Sequence, residues 1–340
     1  MTELQSETLN AEQTAGISTD TLKMMYTAML RIRRFEEVVG ELVAKKEIIC
    51  PCHLYAGEEA IATGVCANLS RDDWVFSTHR SHGHYIAKGG SVNALMAELY
   101  GRITGCSKGR GGSMHLASPE TGLPGSSAIV AGTIPLSAGA ALAFSLQKRD
   151  AVSVAFFGDG AVCEGAFYES LNFASLRKLP VIFVCENNLY ATHMPVSACL
   201  ADARIYKKAE AFNVRGKRVD GNNVLEVYKV AKRAIKDARD GKGPTLIECM
   251  TYRWLGHVGP SDDLDKGLRT KEELKHWMSR CPIKVLENFL LQQGILSKKD
   301  KAGIYRGVEE EIEKAVAFAR ESRYPDPNKD AASSIFKDHA

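Results

Sequence analysis

Three short apolar runs, separated by segments of helical length, constrain the fold of this chain most. They are AVSVAFF (151–157), PVIFVCE (180–186) and PTLIECM (244–250). Continuous apolar runs of this length are typical of strands that are buried on both faces of a parallel sheet. The segments between and before them have helical patterns. The sequence therefore predicts an α/β fold with a doubly wound, mainly parallel sheet and helices on both faces.

Further helices are predicted on either side of this core. Ser18, Thr19 and Asp20 offer N-caps to an amphipathic helix that ends near Lys46. A helix begins near Ala161, after the first apolar run. Other helical patterns cover 133–147, 222–240, 270–280, 283–293 and 297–321. We divide the chain into a flexible arm (1–17), one domain with a C-terminal helical extension (18–325) and a tail (326–340).

The overall composition argues against nucleic-acid and membrane partners. The chain has 340 residues, and its 44 basic and 41 acidic side chains leave a net charge of +3 without a concentrated basic segment. No uninterrupted apolar run reaches about 18 residues, so we expect no transmembrane helix. The N-terminus has neither a signal-peptide pattern nor the acid-poor composition of a transit peptide. A cytoplasmic protein is predicted.

The nine cysteines indicate reduced thiols more than a metal site. None of them forms a CxxC pair at zinc spacing, and Cys185 and Cys249 lie inside apolar runs. The closest pair is Cys50-Pro51-Cys52, and a single short CxC motif is weak evidence for metal binding or redox chemistry.

Polar motifs follow two of the apolar runs directly. Gly158-Asp159-Gly160 comes after the first run and Glu186-Asn187-Asn188 ends the second, with Asn188 placed 29 positions after Asp159. Either motif alone is common in turns. Ligands of open α/β sheets bind at the carboxyl ends of the strands, where oxygen ligands suit Mg²⁺ and glycine-flanked backbone N–H groups suit phosphate. Together the two motifs predict a magnesium and phosphate site.

The same two motifs resemble the thiamine diphosphate and magnesium motif of a known enzyme family. In family order, the segments HLYAGEEA, HRSHG, GRITGCSKGRGGSMHL, GDGAVCEGAFYESLNFASLRKLPVIFVCENN, RVDGNN and TYRWLGH resemble alpha subunits of the decarboxylating component of 2-oxo acid dehydrogenase complexes. The resemblance covers roughly residues 20 to 320. It implies the thiamine diphosphate-binding fold, with thiamine diphosphate and Mg²⁺ as cofactors.

The resemblance also implies roles for individual residues. The metal ligands would be Asp159, the side chain of Asn188 and the backbone carbonyl of Tyr190. His53 and His257 match the two active-site histidines of the family. The positions implied to bind the cofactor are His79, Arg80, Ala128, Val130, Asp159, Gly160, Ala161 and Asn188. The remaining histidines of the motifs, His82, His84 and His115, are expected to have structural roles.

The chain departs from the family pattern at three places. His79 stands where tyrosine is common, and the family's GIVG reads Ala128-Ile129-Val130-Ala131. An alanine at 128 preserves backbone contacts only if its φ is negative. Val258 stands where mitochondrial relatives have a regulatory phosphoserine, which excludes kinase control at that position and leaves Ser261 as a nearby candidate.

The family's activating glutamate belongs to a separate beta subunit, so the resemblance implies half an active site in an α₂β₂ assembly. Its product would pass to the lipoyl domain of a dihydrolipoamide acyltransferase. Pyruvate is the favoured substrate, with acetoin and branched-chain 2-oxo acids as alternatives. Two further functional hypotheses stay open. A nicotinamide-dependent dehydrogenase would need GxGxxG after its first strand, whereas GRGGS follows no strand. A catalytically silent paralogue would have lost the ligands.

Overall fold

The computed structural model describes Leu9 and residues 14–330 of the chain. Most of the predicted arm (1–8 and 10–13) and the end of the predicted tail (331–340) lie outside the described residues. Within the described part, none of the helices combines the length and the apolar character that a membrane crossing requires.

Six strands form a sheet in which every neighbouring pair is parallel. The strands are β1 (Trp74–Ser77), β2 (Gly125–Ser126), β3 (Ser153–Gly158), β4 (Val181–Asn187), β7 (Arg215–Asp220) and β8 (Thr245–Met250), and their order is β2-β1-β3-β4-β8-β7. A separate two-stranded hairpin pairs β5 (Tyr190–Ala191) with β6 (Met194–Pro195). In the register of the main sheet, Gly158 lies beside Glu186 and Asn187 beside Met250. The carboxyl ends of β3, β4 and β8 therefore lie side by side.

Helices cover both faces of the sheet. They are α1 (Thr19–Ala44), α2 (Glu59–Cys66), α3 (His82–Ala87), α4 (Val92–Leu99), α5 (Thr133–Leu146), α6 (Gly165–Leu176), α7 (Val196–Cys199), α8 (Val224–Arg239), α9 (Lys271–Ser279), α10 (Pro282–Gln292) and α11 (Lys298–Glu321). The predicted N-cap of α1 is confirmed, since the Ser18 hydroxyl accepts a hydrogen bond from the Thr21 N–H at 3.1 Å.

Alternate residues of the central strands point into two separate cores. Val154 and Phe156 pack with side chains of α1, α2, α4, α8 and α11, whereas Ala155 and Phe157 pack with those of α5 and α6. This alternation is what a strand covered on both faces requires. The predicted doubly wound α/β architecture with C-terminal helices is confirmed.

Three strands lack the apolar run on which the prediction depended. Strand β7 lies at the edge of the sheet and has the sequence RGKRVD, in which Val219 alone is buried. Strands β1 and β2 contain only four and two residues. The predicted start of a helix near Ala161 was also wrong. A 3₁₀ helix covers Asp159–Cys163, and α6 begins at Gly165, because Glu164 between them has an extended backbone with ψ 139°.

Candidate active site

A cavity of about 340 Å³ lies at the carboxyl ends of the central strands. It is placed where open α/β sheets bind their ligands. All eleven residues that the sequence singled out for catalysis, cofactor or metal binding line this cavity: His53, His79, Arg80, Ala128, Val130, Asp159, Gly160, Ala161, Asn188, Tyr190 and His257. The fold therefore gathers in one place residues that are spread over more than half of the sequence.

Asp159 is a buried carboxylate that lines this cavity. It follows β3 directly, its side chain is 2% exposed, and its Oδ2 has no hydrogen-bond partner. Burial raises the pKa of Asp159 to about 6, against the opposing influence of its own backbone N–H and of Arg253. A buried carboxylate oxygen without a partner is costly. A cation in the cavity would remove that cost.

Asn188 and Tyr190 approach the cavity from the end of β4. The Asn188 amide donates from Nδ2 to Glu58 Oε1 at 3.1 Å, which turns its oxygen away from Glu58. The backbone carbonyl of Tyr190 accepts a hydrogen bond from Arg253 Nη1 at 3.2 Å, and a carbonyl oxygen has a second lone pair. Leu189 between them has φ 75°, which places it in the left-handed region, and the Tyr190 N–H donates to Asn188 Oδ1 at 3.4 Å.

Arg80 joins the two loops that carry the candidate catalytic histidines. Its Nη1 donates to the Leu54 carbonyl at 2.5 Å and its Nη2 to the His257 carbonyl at 3.2 Å. Its Nε lies 3.6 Å from Glu58 Oε2. Burial raises the pKa of Glu58 above its usual range despite the attraction of Arg80. The guanidinium therefore faces a carboxyl group that is poorly ionised at neutral pH.

Three imidazoles form a cluster in the lining of the cavity. The ring centroids of His53 and His79 are 4.5 Å apart, those of His53 and His257 are 4.9 Å apart, and those of His79 and His257 are 5.3 Å apart. Nδ1 of His53 and Nδ1 of His257 are buried without hydrogen-bond partners. Burial lowers the pKa of all three, to about 3 in His79 and to about 4 in His257. Neutral imidazoles therefore line this part of the cavity.

A glycine allows the His53 loop to lie against the end of β8. Gly57 has φ 105°, and a Cβ there would come within 2.5 Å of the Tyr252 carbonyl oxygen and of the Trp254 ring. Next to it, the Trp254 N–H donates to the Ala56 carbonyl at 2.9 Å. Because the left-handed region and the close contact both exclude larger residues, Gly57 positions the loop that carries His53.

The segment Ala128–Ala131 departs from the family pattern, and its last residue has an unusual backbone conformation. Ala128 does not have a positive φ, so the condition for keeping its backbone contacts is met. Ala131 has φ 60° and is buried, although a left-handed residue costs about 1–2 kcal/mol when it is not glycine. The family has its second glycine at this position. Glycine adopts a positive φ without strain, whereas the alanine adopts it at a cost.

The other histidines of the motifs lie outside the cavity. His82 contacts Glu36 at 3.0 Å and Ser113 at 2.8 Å, and His84 contacts Ser77 at 2.7 Å and Glu186 at 3.0 Å. Both are fully buried, with both ring nitrogens in hydrogen-bond range of a partner, which agrees with structural roles. His115 is exposed.

Sequence reasoning assigned no role to three charged residues that line the cavity, Glu58, Glu186 and Arg253. Arg253 is 2% exposed, donates to the carbonyls of Tyr190 and Thr192, and keeps an unpartnered Nε. Burial, with Arg80 nearby, lowers the pKa of Arg253 to about 10. All three residues stand inside segments that carried the resemblance, which are HLYAGEEA, GDGAVCEGAFYESLNFASLRKLPVIFVCENN and TYRWLGH. The signal that could have identified them is their place a few positions along the chain from His53, Asn188 and His257.

Acidification from pH 6.5 to 4.5 is expected to destabilise the metal-free protein. The unfolded chain takes up protons on His53, His79 and His257 near pH 6.5, whereas the folded chain, with lowered pKa values, does not. Asp159 and Glu58 act in the opposite direction, because burial raises the pKa of each carboxyl group above its ordinary value. The three histidines outnumber these two carboxyl groups, so the net effect of acidification is destabilising. Each proton that the unfolded chain binds in excess of the folded chain changes the free energy of unfolding by up to about 1.4 kcal/mol per pH unit. The change is smaller where the ring is partly exposed.

Urea unfolding at three pH values measures this slope. In His79→Phe the slope should fall by up to about 1.4 kcal/mol per pH unit, because that variant replaces one titrating ring by an aromatic ring that does not titrate. A free energy of unfolding that stays constant over this range would show that the histidines are not neutral in the folded protein.

Comparison with known families agrees with this geometry. A family model described as "Dehydrogenase E1 component" matches residues 27–328. The chain belongs to this family. E1 dehydrogenases are oxidoreductases, and membership implies thiamine diphosphate as the cofactor. The matched residues include the whole sheet and every residue that lines the cavity.

Curated members of the E1 family align with nearly the whole chain. The alpha subunit of an acetoin:2,6-dichlorophenolindophenol oxidoreductase from Bacillus subtilis (strain 168) is 45% identical over 301 residues, which cover 88% of this chain and 89% of the relative. An alpha subunit of the pyruvate dehydrogenase E1 component from Porphyra purpurea is 42% identical, with 90% of each chain covered. The corresponding subunit from Rhizobium meliloti (strain 1021) is 40% identical, with 90% and 87% covered.

Proposed function

We propose that this chain is the alpha subunit of a thiamine diphosphate- and Mg²⁺-dependent 2-oxo acid dehydrogenase. Its reaction is oxidative decarboxylation of pyruvate followed by reductive acylation of a lipoyl group. The observation that carries the proposal is the buried carboxylate of Asp159, whose Oδ2 has no hydrogen-bond partner and which lies in one cavity with Asn188 and three neutral imidazoles. The named relatives include pyruvate dehydrogenase alpha subunits.

Three residues that line the cavity at the ends of β3 and β4 fit a magnesium ion. Asp159 offers an anionic oxygen, and Asn188 and the Tyr190 backbone offer neutral oxygens, which is the donor set that Mg²⁺ prefers. Phosphate oxygens and water would complete the coordination. The raised pKa of Asp159 falls when a cation binds, because the positive charge favours the ionised carboxylate.

The start of the 3₁₀ helix after β3 fits a diphosphate. Gly160 and Ala161 lie in the first turn of Asp159–Cys163, where backbone N–H groups are free of helical partners. A Cβ at Gly160 would lie 2.8 Å from the Cβ of Ala191, so a side chain there would displace the hairpin. Arg80, whose guanidinium lies in the same cavity, would supply a positive charge to the phosphates.

When bound, thiamine diphosphate supplies an electron sink for the carbanion that remains after the bond to the carboxyl carbon is broken. The chain's own contribution is made by His53 and His257. Because their pKa values are lowered, each ring carries a single N–H proton at neutral pH. Such a ring can donate a hydrogen bond to a developing oxyanion or to a sulfur atom, and it can accept a proton at its other nitrogen. Their unpartnered Nδ1 atoms are available for this purpose.

An uncharged helix with an exposed outer face is the observation that favours a partner subunit. Helix α5 has the sequence TIPLSAGAALAFSL, without a charged residue, and it exposes Leu136 (58%) and Leu146 (75%). Leu176 on the neighbouring α6 is 74% exposed, and Ile129 and Val130 are exposed at the rim of the cavity. Several strongly exposed apolar side chains on neighbouring elements are typical of protein interfaces. A beta subunit on this face, in an α₂β₂ assembly, would close the cavity and supply the activating glutamate.

A charge placed on this face should prevent assembly. Leu136→Asp and, separately, Leu176→Asp are expected to abolish co-purification of the partner chain, because burying an unpaired carboxylate costs several kcal/mol. Thermal unfolding of the isolated variants should match that of the isolated wild type. Met278→Asp, at an exposed apolar residue of α9, is the matched control and should retain the partner. Retention of the partner by both leucine variants would place the interface elsewhere.

One activity assay tests the proposed reaction and its substrate. The tagged chain is purified from its own host with whatever binds to it, and dye reduction is measured with and without thiamine diphosphate and Mg²⁺. The substrates are pyruvate, 2-oxobutyrate, branched-chain 2-oxo acids and acetoin. We expect cofactor-dependent activity with pyruvate in the assembled protein and none in the separated chain. Activity of the separated chain would refute the shared site.

Acetoin is the second candidate substrate, because one relative that is 45% identical is named for it. A rate with acetoin that exceeds the rate with pyruvate would replace the proposed substrate and keep the cofactor chemistry. Absence of activity with every substrate, in a preparation that contains the partner, would favour a catalytically silent paralogue.

A further inference from the structure

Two cysteines lie next to each other immediately before the catalytic histidine His53. The Sγ atoms of Cys50 and Cys52 are 3.8 Å apart, with Pro51 between the two residues. The proposed function uses neither thiol. Both are free thiols in the structure, Cys50 partly exposed and Cys52 buried.

The surroundings of the pair distinguish an attacking thiol from a resolving one. The contact with Cys52 and the backbone N–H of Ser113 lower the pKa of Cys50, against the effect of burial. The contact with Cys50 and burial raise the pKa of Cys52. The thiol that ionises more readily is therefore also the one that solvent reaches, which is the usual property of redox-sensitive cysteines.

We propose that Cys50 and Cys52 form a reversible disulfide on exposure to hydrogen peroxide, and that this disulfide switches off the active site. The Sγ atoms must approach from 3.8 Å to about 2.05 Å, which requires the backbone around Pro51 to turn. A bond across a single intervening residue is strained, and strained disulfides are readily reduced by cellular thiols.

The oxidation balances with peroxide as the oxidant. The Cys50 thiolate attacks one peroxide oxygen, the O–O bond breaks, and the departing hydroxide takes up a proton to become water. Cys50 is now a sulfenic acid, oxidised by two electrons. The Cys52 sulfur then attacks the Cys50 sulfur, the S–O bond breaks, and the leaving hydroxide combines with the Cys52 proton to form a second water.

The backbone connects this pair to both catalytic histidines. Cys52 directly precedes His53, and the Cys52 carbonyl accepts a hydrogen bond from the Gly259 N–H at 2.8 Å, two residues after His257. A turn at Cys52 therefore displaces His53 and pulls on the His257 loop. A displacement of about 1 Å in a catalytic group lowers turnover by about 10²-fold. The predicted loss of activity depends on the proposed function, whereas formation of the disulfide does not.

Mass spectrometry tests the disulfide independently of activity. The full chain with its bound partner is treated with peroxide, alkylated under denaturing conditions and digested with trypsin. Residues 47–71 form one tryptic peptide that contains Cys50, Cys52 and Cys66. We expect this peptide to lose two hydrogens and to carry a single alkyl group, on Cys66, as fragmentation would show. Treatment with dithiothreitol should restore three alkylation sites and the original activity.

Three variants complete the test. Cys50→Ser and Cys52→Ser should each lose the peroxide-induced inhibition that dithiothreitol reverses, relative to their own untreated rates. Cys163→Ser, which removes an exposed cysteine elsewhere, should remain as sensitive as the wild type. Alkylation of both Cys50 and Cys52 after peroxide treatment would overturn the proposed disulfide. A disulfide that forms without loss of activity would overturn the switch alone.

Discussion

Asp159→Asn is expected to weaken the Mg²⁺-dependent binding of thiamine diphosphate by about 10³-fold or more. The substitution keeps the size of the side chain and removes the anionic oxygen that Asp159 places in the cavity. A unit of charge at about 4 Å contributes about 4 kcal/mol at an effective dielectric constant of 20, which corresponds to about 10³-fold in affinity. Isothermal titration with the cofactor and Mg²⁺ measures the loss.

The same variant should make the metal-free protein more stable at pH 8. Because burial raises the pKa of Asp159 to about 6, the ionised carboxylate is costly in the folded state above that pH. The stabilisation that the protonated carboxyl group of Asp159 contributes is fully present below its ordinary pKa. It is lost as the pH rises through the folded-state pKa of about 6. Asparagine avoids this loss, which amounts to up to about 3 kcal/mol.

Opposite effects on cofactor binding and on stability separate a ligand from a merely structural carboxylate. Asp150→Asn, at a side chain that is 86% exposed, is the control and should change neither quantity. Undiminished cofactor affinity in Asp159→Asn would remove this residue from the site.

His257→Ala is expected to lower kcat of the assembled enzyme by about 10²–10⁴-fold, the usual contribution of a general acid or base. The backbone carbonyl of His257, which accepts from Arg80, and its N–H, which donates to Asp263 at 2.9 Å, are retained in the variant. The loop should therefore keep its position, and cofactor affinity should remain unchanged.

Steady-state kinetics with the preferred substrate, together with cofactor titration, measure both properties. His115→Ala, at an exposed histidine outside the cavity, is the matched control. Normal turnover by His257→Ala in the assembled enzyme would exclude the imidazole from the reaction.

The parts of the fold that sequence reasoning found are those with a strong local signal. Strands β3, β4 and β8 are buried on both faces and read as continuous apolar runs, whereas β7 at the sheet edge is polar and was missed. The positions of Asp159 and Asn188 could be predicted because parallel strands bring their carboxyl ends to the same edge. The residue-level roles came from the resemblance, since spacing alone does not distinguish a ligand from a turn residue.

What residue patterns alone could not predict depends on contacts between distant loops. Spacing gave no reason for His53, His79 and His257 to meet, since their loops are up to about 200 positions apart in the chain, and their common site was implied by the resemblance alone. The left-handed backbone of Ala131 has no local signal, because alanine is an unusual residue for that conformation. The pKa values of the cavity groups follow from burial and are likewise a property of the folded chain.

The contacts of Arg80 have a consequence for mutational analysis. Its guanidinium binds the Leu54 carbonyl, next to His53, and the carbonyl of His257 itself. A substitution at Arg80 therefore disturbs both catalytic loops in addition to removing its own charge. Its effect on turnover will not add to the effects of His53 and His257 substitutions, since all three act on one connected unit. A double-mutant cycle, rather than the single variant, is what separates the proposed phosphate contact of Arg80 from its role in holding the histidines.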